Sequence, residues 1–204
     1  MKVVGLVLVP LFWRRPRAFV AMLCGSALLL LPLVLWRAPG DPTSGPGQFA
    51  VRWQGNDSLF AIVHVIAGRA MEPESAALAA RLAVGVAMLG VTFLVLRAKQ
   101  PPLESARVLI WTVLLLSPQV HPWYLGWLLP LELACGGRAG LAWSALVFAA
   151  YAPLDRWATG GVWDMPVWVQ VLEYLLLGAA LLLDPRRPAI TSGSDGHDSI
   201  NNSE

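Results

Sequence analysis

The chain reads as long apolar runs cut by short polar breaks, and most of the charge sits in the breaks. From Ala18 to Trp36 there is no charged residue, a stretch long enough for a helix to cross a hydrocarbon core of about 30 Å. A second run opens at Glu72-Pro73-Glu74-Ser75, where proline and acidic side chains suit a helix N-terminus, and extends to about Leu96 before Arg97 and Lys99. Further helices are predicted over 103–120, 125–135, 141–151 and 167–183. A shorter one over 59–68 follows Asn56, Asp57 and Ser58, all good N-cap residues, and is too short to cross. It reads as an interfacial or re-entrant helix.

Residues 3–13 are apolar but cover only about 17 Å as a helix. Two readings stay open there: the second half of a span whose first half lies outside this chain, or a short interfacial helix. The Gly, Pro, Asp, Thr and Ser of 38–54 and the Gly- and Trp-rich 155–164 read as irregular loops. Residues 189–204 are polar and aperiodic, as in a solvated, disordered tail. The expected fold class is therefore all-α: a polytopic transmembrane bundle over 1–188, with short extracytoplasmic loops and a disordered C-terminal tail.

Composition supports this pattern, with 56% hydrophobic and only 14% charged residues. A net charge of +2 with scattered arginines gives no footprint for nucleic acid. Cys24 and Cys135 lie in apolar segments with no second ligand at metal spacing, so no metal site is expected and they read as small buried hydrophobes. If the break near His121 lies outside, Arg14, Arg15, Arg17, Arg97, Lys99, Arg107, Arg138, Arg186 and Arg187 fall inside. Only Arg37, Arg52, Arg69 and Arg156 then remain outside, and nine against four is the bias the positive-inside rule describes.

The break itself carries the most chemistry. Between apolar flanks stand Ser117, Pro118, His121, Pro122, Trp123 and Tyr124. The prolines remove amide donors and turn their predecessors away from helix, which hydrocarbon tolerates only beside protein or water. The stretch is either an interhelical loop with an aromatic anchor or a polar site at the membrane surface. His64 reads as a packing residue, and Arg81, inside a span, is expected to face a polar interior or to snorkel.

Ser117-Pro118 before His121-Pro122-Trp123-Tyr124, followed by Trp127-Leu128-Leu129-Pro130, resembles a block near the C-terminal end of bacterial multi-spanning mannosyltransferases of the GT-C superfamily. Asn56-Asp57-Ser58 with Phe60, and Trp168 with Glu173-Tyr174, are similar to further blocks of those enzymes. The resemblance implies a multi-pass protein of the bacterial inner membrane that uses a polyprenyl-phosphate sugar and no cofactor. It implies an inverting transfer at the outer face, with Arg52, Asn56, Asp57, His121, Trp123 and Tyr124 as substrate-binding candidates. Arg52 would pair with phosphate, His121 and Tyr124 would give hydrogen bonds, and Trp123 would stack on a sugar face.

Such enzymes carry their catalytic carboxylate in an early outer loop, which is expected to lie outside this chain. The catalytic base is thus unassigned, and the chain is expected to be inactive alone, as a C-terminal part or a subunit whose partner is the N-terminal half. Asp57 is a candidate base but also a helix cap. Glu132 and Glu173 are expected to pair with Arg81 or Arg107. The alternative is a non-catalytic membrane protein binding a lipid phosphate or a partner subunit. A solute transporter fits less well, lacking paired broken helices and internal symmetry.

Overall fold

The computed structural model describes residues 4–35, 55–161 and 165–184, which are helical with no strand among them. In chain order α1 is Val4–Leu8, running into a 3-10 turn at Val9–Phe12, and α2 is Pro16–Leu35. Next come α3 (Leu59–Gly68), α4 (Pro73–Ala98) and α5 (Pro102–Leu116). A 3-10 turn at Pro122–Tyr124 leads into α6 (Leu125–Cys135), and α7 (Ala139–Leu146) continues as a 3-10 turn through Tyr151. Helices α8 (Leu154–Gly160) and α9 (Val167–Leu183) complete the described chain.

The ends of these helices follow from local chemistry. Helix α4 starts on Pro73 with Glu74 in its first turn, carries Arg97 in its last, and closes on Lys99 in the left-handed region at φ 52°. Helix α6 closes on Gly136 at φ 73°, where a side chain would be strained. The N-terminus of α7 has no cap of its own. It borrows Asp184 from the end of α9, whose carboxylate accepts from the Arg138 amide at 3.0 and 3.1 Å and from the Ala139 amide at 3.2 Å.

Neighbouring helices run antiparallel. Phe60 at the start of α3 packs on Ala80 and Val84 of α4, so α3 folds back along the first turns of α4. Glu132 near the end of α6 meets Arg107 near the start of α5 at 3.1 Å. The main core unites Ile110 and Leu114 with Val120, Tyr124, Leu125, Leu128, Trp143, Val147 and Leu177. Trp143 is fully buried and stacks on Trp111 at 5.3 Å.

Among the described residues α4, about 39 Å long, is the one helix long and apolar enough to cross a membrane. Only 17% of its most apolar stretch is buried within the chain, unlike the core helix of a water-soluble protein. Large apolar side chains also face outward on α2, α3 and α9, as with Leu29, Ile66 and Leu182.

The structure corrects several boundaries. The helix expected over 103–120 stops at Leu116, because Ser117 before Pro118 takes extended backbone (ψ 137°). The helix expected over 141–151 begins at Ala139 and tightens to 3-10 from Val147. Where 155–164 reads as a loop, α8 forms over Leu154–Gly160, with Asp155 in its first turn and Gly161 at φ 67° closing it. The loop expected over 38–54 and the tail over 189–204 lie outside the described residues.

Candidate functional site

The two ends of the helix array differ in chemistry. At one end the α5–α6 break, the segment 55–58 and the first half of α9 meet. The link begins in the backbone: the Gly55 amide donates to the Pro118 carbonyl at 3.1 Å, forming a single parallel bridge between Gly55 and Gln119. Ser58 then donates through its hydroxyl to the Leu115 carbonyl at 2.8 Å, an acceptor left over at the C-terminal end of α5.

Asn56 sits at the centre. Its backbone is left-handed at φ 51°, a conformation asparagine tolerates better than most residues, and it is 3% exposed. Its Nδ2 donates to the Val120 carbonyl at 3.4 Å and to Glu173 Oε1 at 3.3 Å, while its own carbonyl accepts from the Tyr174 hydroxyl at 2.8 Å. Asp57 is buried beside it, and its Oδ1 accepts from Gln170 Nε2 at 3.0 Å. Glu173 Oε1 also accepts from the Trp143 indole at 2.9 Å, tying α7 into the cluster.

An aromatic ladder runs outward from these residues. Trp127 stacks on Tyr124 at 5.0 Å, Tyr124 meets His121 edge-on at 5.3 Å, and His121 stacks on Trp123 at 4.2 Å. Trp123 is 59% exposed, leaving much of its surface outside the chain. Burial pushes the His121 imidazole below its ordinary range, so it is neutral at pH 7 and able to accept a proton. Burial pushes the Tyr124 phenol up, which keeps it a hydroxyl. A shallow groove of about 230 Å³ opens between α3, α4 and the start of the break, lined by Phe60, Arg81, Gly85, Leu116, Ser117 and Pro118 among others.

Of the six sequence-predicted site residues, Asn56, Asp57, His121, Trp123 and Tyr124 lie in this region, and Arg52 lies outside the described residues. Trp168 is not part of the cluster and faces outward at 70% exposure. The capping expectation for 56–58 is revised: Ser58 is the N-cap residue of α3 and makes no side-chain cap bond. Gln170 and Trp143 are cluster members that sequence reasoning missed. Gln170, Glu173 and Tyr174 share helical spacing on an otherwise apolar helix, and that stripe was the available signal for Gln170.

The opposite end is a structural clamp. Glu132 is fully buried, and its Oε1 accepts from Arg107 at 3.1 Å and Trp111 at 2.8 Å, while Oε2 accepts from the Gly140 amide at 3.0 Å. Glu132 thus pairs with Arg107 as expected, whereas Glu173 bonds only neutral donors. Arg81 lies over the Phe60 ring at 5.6 Å and donates to the Ala77 carbonyl. No group of His, Cys, Asp and Glu able to hold a metal occurs among the described residues. Cys24 and Cys135 are free thiols, but Cys24 is exposed and Cys135 half-buried rather than the buried hydrophobes expected, because both lie on helix faces that the chain itself leaves uncovered. Comparison with protein-family models, curated proteins and solved structures finds no match to this chain.

Proposed function

We propose that this chain is the C-terminal part, or a subunit, of a polytopic glycosyltransferase of the bacterial inner membrane, inactive alone. It moves a sugar, mannose by the resemblance, from a polyprenyl-phosphate donor to an acceptor hydroxyl at the extracytoplasmic face. In that reaction the acceptor oxygen bonds to the anomeric carbon as the bond to the lipid phosphate breaks, with inversion. The hydroxyl proton passes to a base and the lipid phosphate leaves with the electron pair. Stabilising the departing anion requires cationic or hydrogen-bonding groups aimed at it.

The observation that supports this reading is the convergence of residues from three blocks that carry the resemblance: Asn56 and Asp57, the 117–124 break, and Glu173 with Tyr174. They are remote in sequence and meet beside an outward-facing tryptophan. On this reading Trp123 offers a sugar-stacking face, His121 a neutral imidazole for hydrogen bonding, and Arg52 a charge for the phosphate. Membranes holding this chain together with an N-terminal half bearing the acidic loop should transfer labelled sugar from the lipid donor. Trp123→Ala and His121→Ala should each lower transfer per folded molecule by about 10²-fold or more. Activity near wild type at equal abundance refutes the reading.

A second reading is a non-catalytic membrane protein that binds a lipid phosphate or a partner subunit. It is favoured by the burial of Asn56 and Asp57, whose side chains are already engaged by other parts of the chain. Binding of the lipid phosphate without transfer, in the presence of the N-terminal half, distinguishes it.

A further inference from the structure

The two fully enclosed carboxylates among the described residues are treated differently. Glu132 has a donor on each oxygen and the Arg107 charge at 3.1 Å. Glu173 is 2% exposed, yet both of its hydrogen bonds come from neutral groups, Trp143 and Asn56, and both end on Oε1. Its Oε2 is buried with no partner, as are Asn56 Oδ1 and Gln119 Oε1. A buried anion with one bare oxygen is costly, and two more bare oxygens sit on residues tied to the same cluster, Asn56 through its Nδ2 bond to Glu173 and Gln119 through its bridge to Gly55.

All three bare atoms are oxygens, and their setting favours positive charge. Helix α5 ends at Leu116, so the negative end of its dipole and the unwound backbone of 117–121 border the cluster. Interrupted helices in membranes use such C-terminal ends and unwound carbonyls to hold small cations. We infer that Glu173, Asn56 and Gln119 form a binding site for a small monovalent cation of the sodium class, which neutralises Glu173 and holds α9 against the 55–58 segment. One carboxylate with neutral amide oxygens balances a single charge, and the burial of Asn56 and Glu173 leaves little space for the waters that magnesium retains. The inference is independent of sugar transfer.

The test uses the full chain purified in detergent, melted by intrinsic tryptophan fluorescence in sodium, potassium or choline chloride at constant ionic strength. Wild type should show a saturable rise in melting temperature with one alkali cation, roughly 5 °C or more at a hundred times its Kd. Glu173→Gln, which retains the acceptor for Trp143 and can donate to Asn56 Oδ1, should be insensitive to that cation. Asn56→Asp, which adds a second charge, should shift the response toward calcium. A wild type indifferent to cation identity overturns the inference. So does a Glu173→Gln chain that melts at or above wild type while wild type responds to pH and not to alkali cations, since the carboxyl then carries a proton.

Discussion

Replacing Asn56 separates its two contributions, one from the side chain and one from the backbone. Asn56→Gly removes the bonds from Nδ2 to the Val120 carbonyl and Glu173 Oε1, but keeps φ 51° free of strain. Both bonds are long, at 3.4 and 3.3 Å, so each belongs at the weak end of its class, although the second has a carboxylate acceptor. Adding the extra freedom of an unfolded glycine gives a loss of about 1–3 kcal/mol. Asn56→Ala loses the same bonds and also forces a Cβ into the left-handed region, where the penalty is about 1–2 kcal/mol. It escapes the glycine entropy term, so alanine should be worse than glycine by about 1 kcal/mol. Mixed-micelle denaturation followed by tryptophan fluorescence reads both values. The reasoning fails if glycine matches wild type within about 0.3 kcal/mol, or if alanine is the better tolerated of the two.

Three other perturbations probe the remaining contacts. Glu132→Ala leaves Arg107 paired with Glu104 alone, at 3.1 Å, and strips the Trp111 indole and the Gly140 amide of their acceptor. It should cost about 3 kcal/mol, at the low end for a buried pair because Arg107 keeps that partner and its side chain is 28% exposed. A loss below about 1 kcal/mol in the same denaturation assay would refute the clamp. Gly140→Ala sets a Cβ against Glu132 Cγ and should cost about 1–3 kcal/mol, and adding Glu132→Ala should remove most of that penalty. Strict additivity of the two changes contradicts the contact. The depressed His121 pKa means its contribution is fully present above about pH 6.5 and is lost as pH falls through the lower folded-state value. Melting temperature should therefore drop on acidification below that point, and His121→Gln should flatten the drop; an unchanged acid limb in the variant refutes it.

Hydrophobic length and turn residues made α3, α6 and α9 legible to within a residue of their ends, because each is bounded by Gly, Pro or a polar cluster. The C-terminal end of α5 was placed too late because apolar periodicity continues through Val120, whereas Pro118 constrains the backbone already at Ser117. Helix α8 was missed because it is only seven residues long, between Pro153 and the Gly160-Gly161 pair, too short to show a helical period. In the candidate site the break and the Asn56-Asp57-Ser58 segment were visible as motifs, but their mutual contact is tertiary. Nothing in local sequence announces that Asp184 caps α7, or that Trp143 rather than an arginine meets Glu173. A lone acidic residue in an apolar helix calls for a partner without saying which.

The proposed function is tested most directly by asking whether α9 crosses a membrane, and in which direction. Gly161 precedes α9, whose first half carries Gln170 and Glu173 of the candidate site, and Ser194 follows its other end in sequence. With Cys24 and Cys135 replaced by serine, Gly161→Cys and Ser194→Cys can be exposed in intact cells to a membrane-impermeant maleimide. The cysteine at 161 should be labelled directly, and the one at 194 only after the membrane is permeabilised. Equal labelling of both from one side would contradict a bundle that presents this site to the exterior.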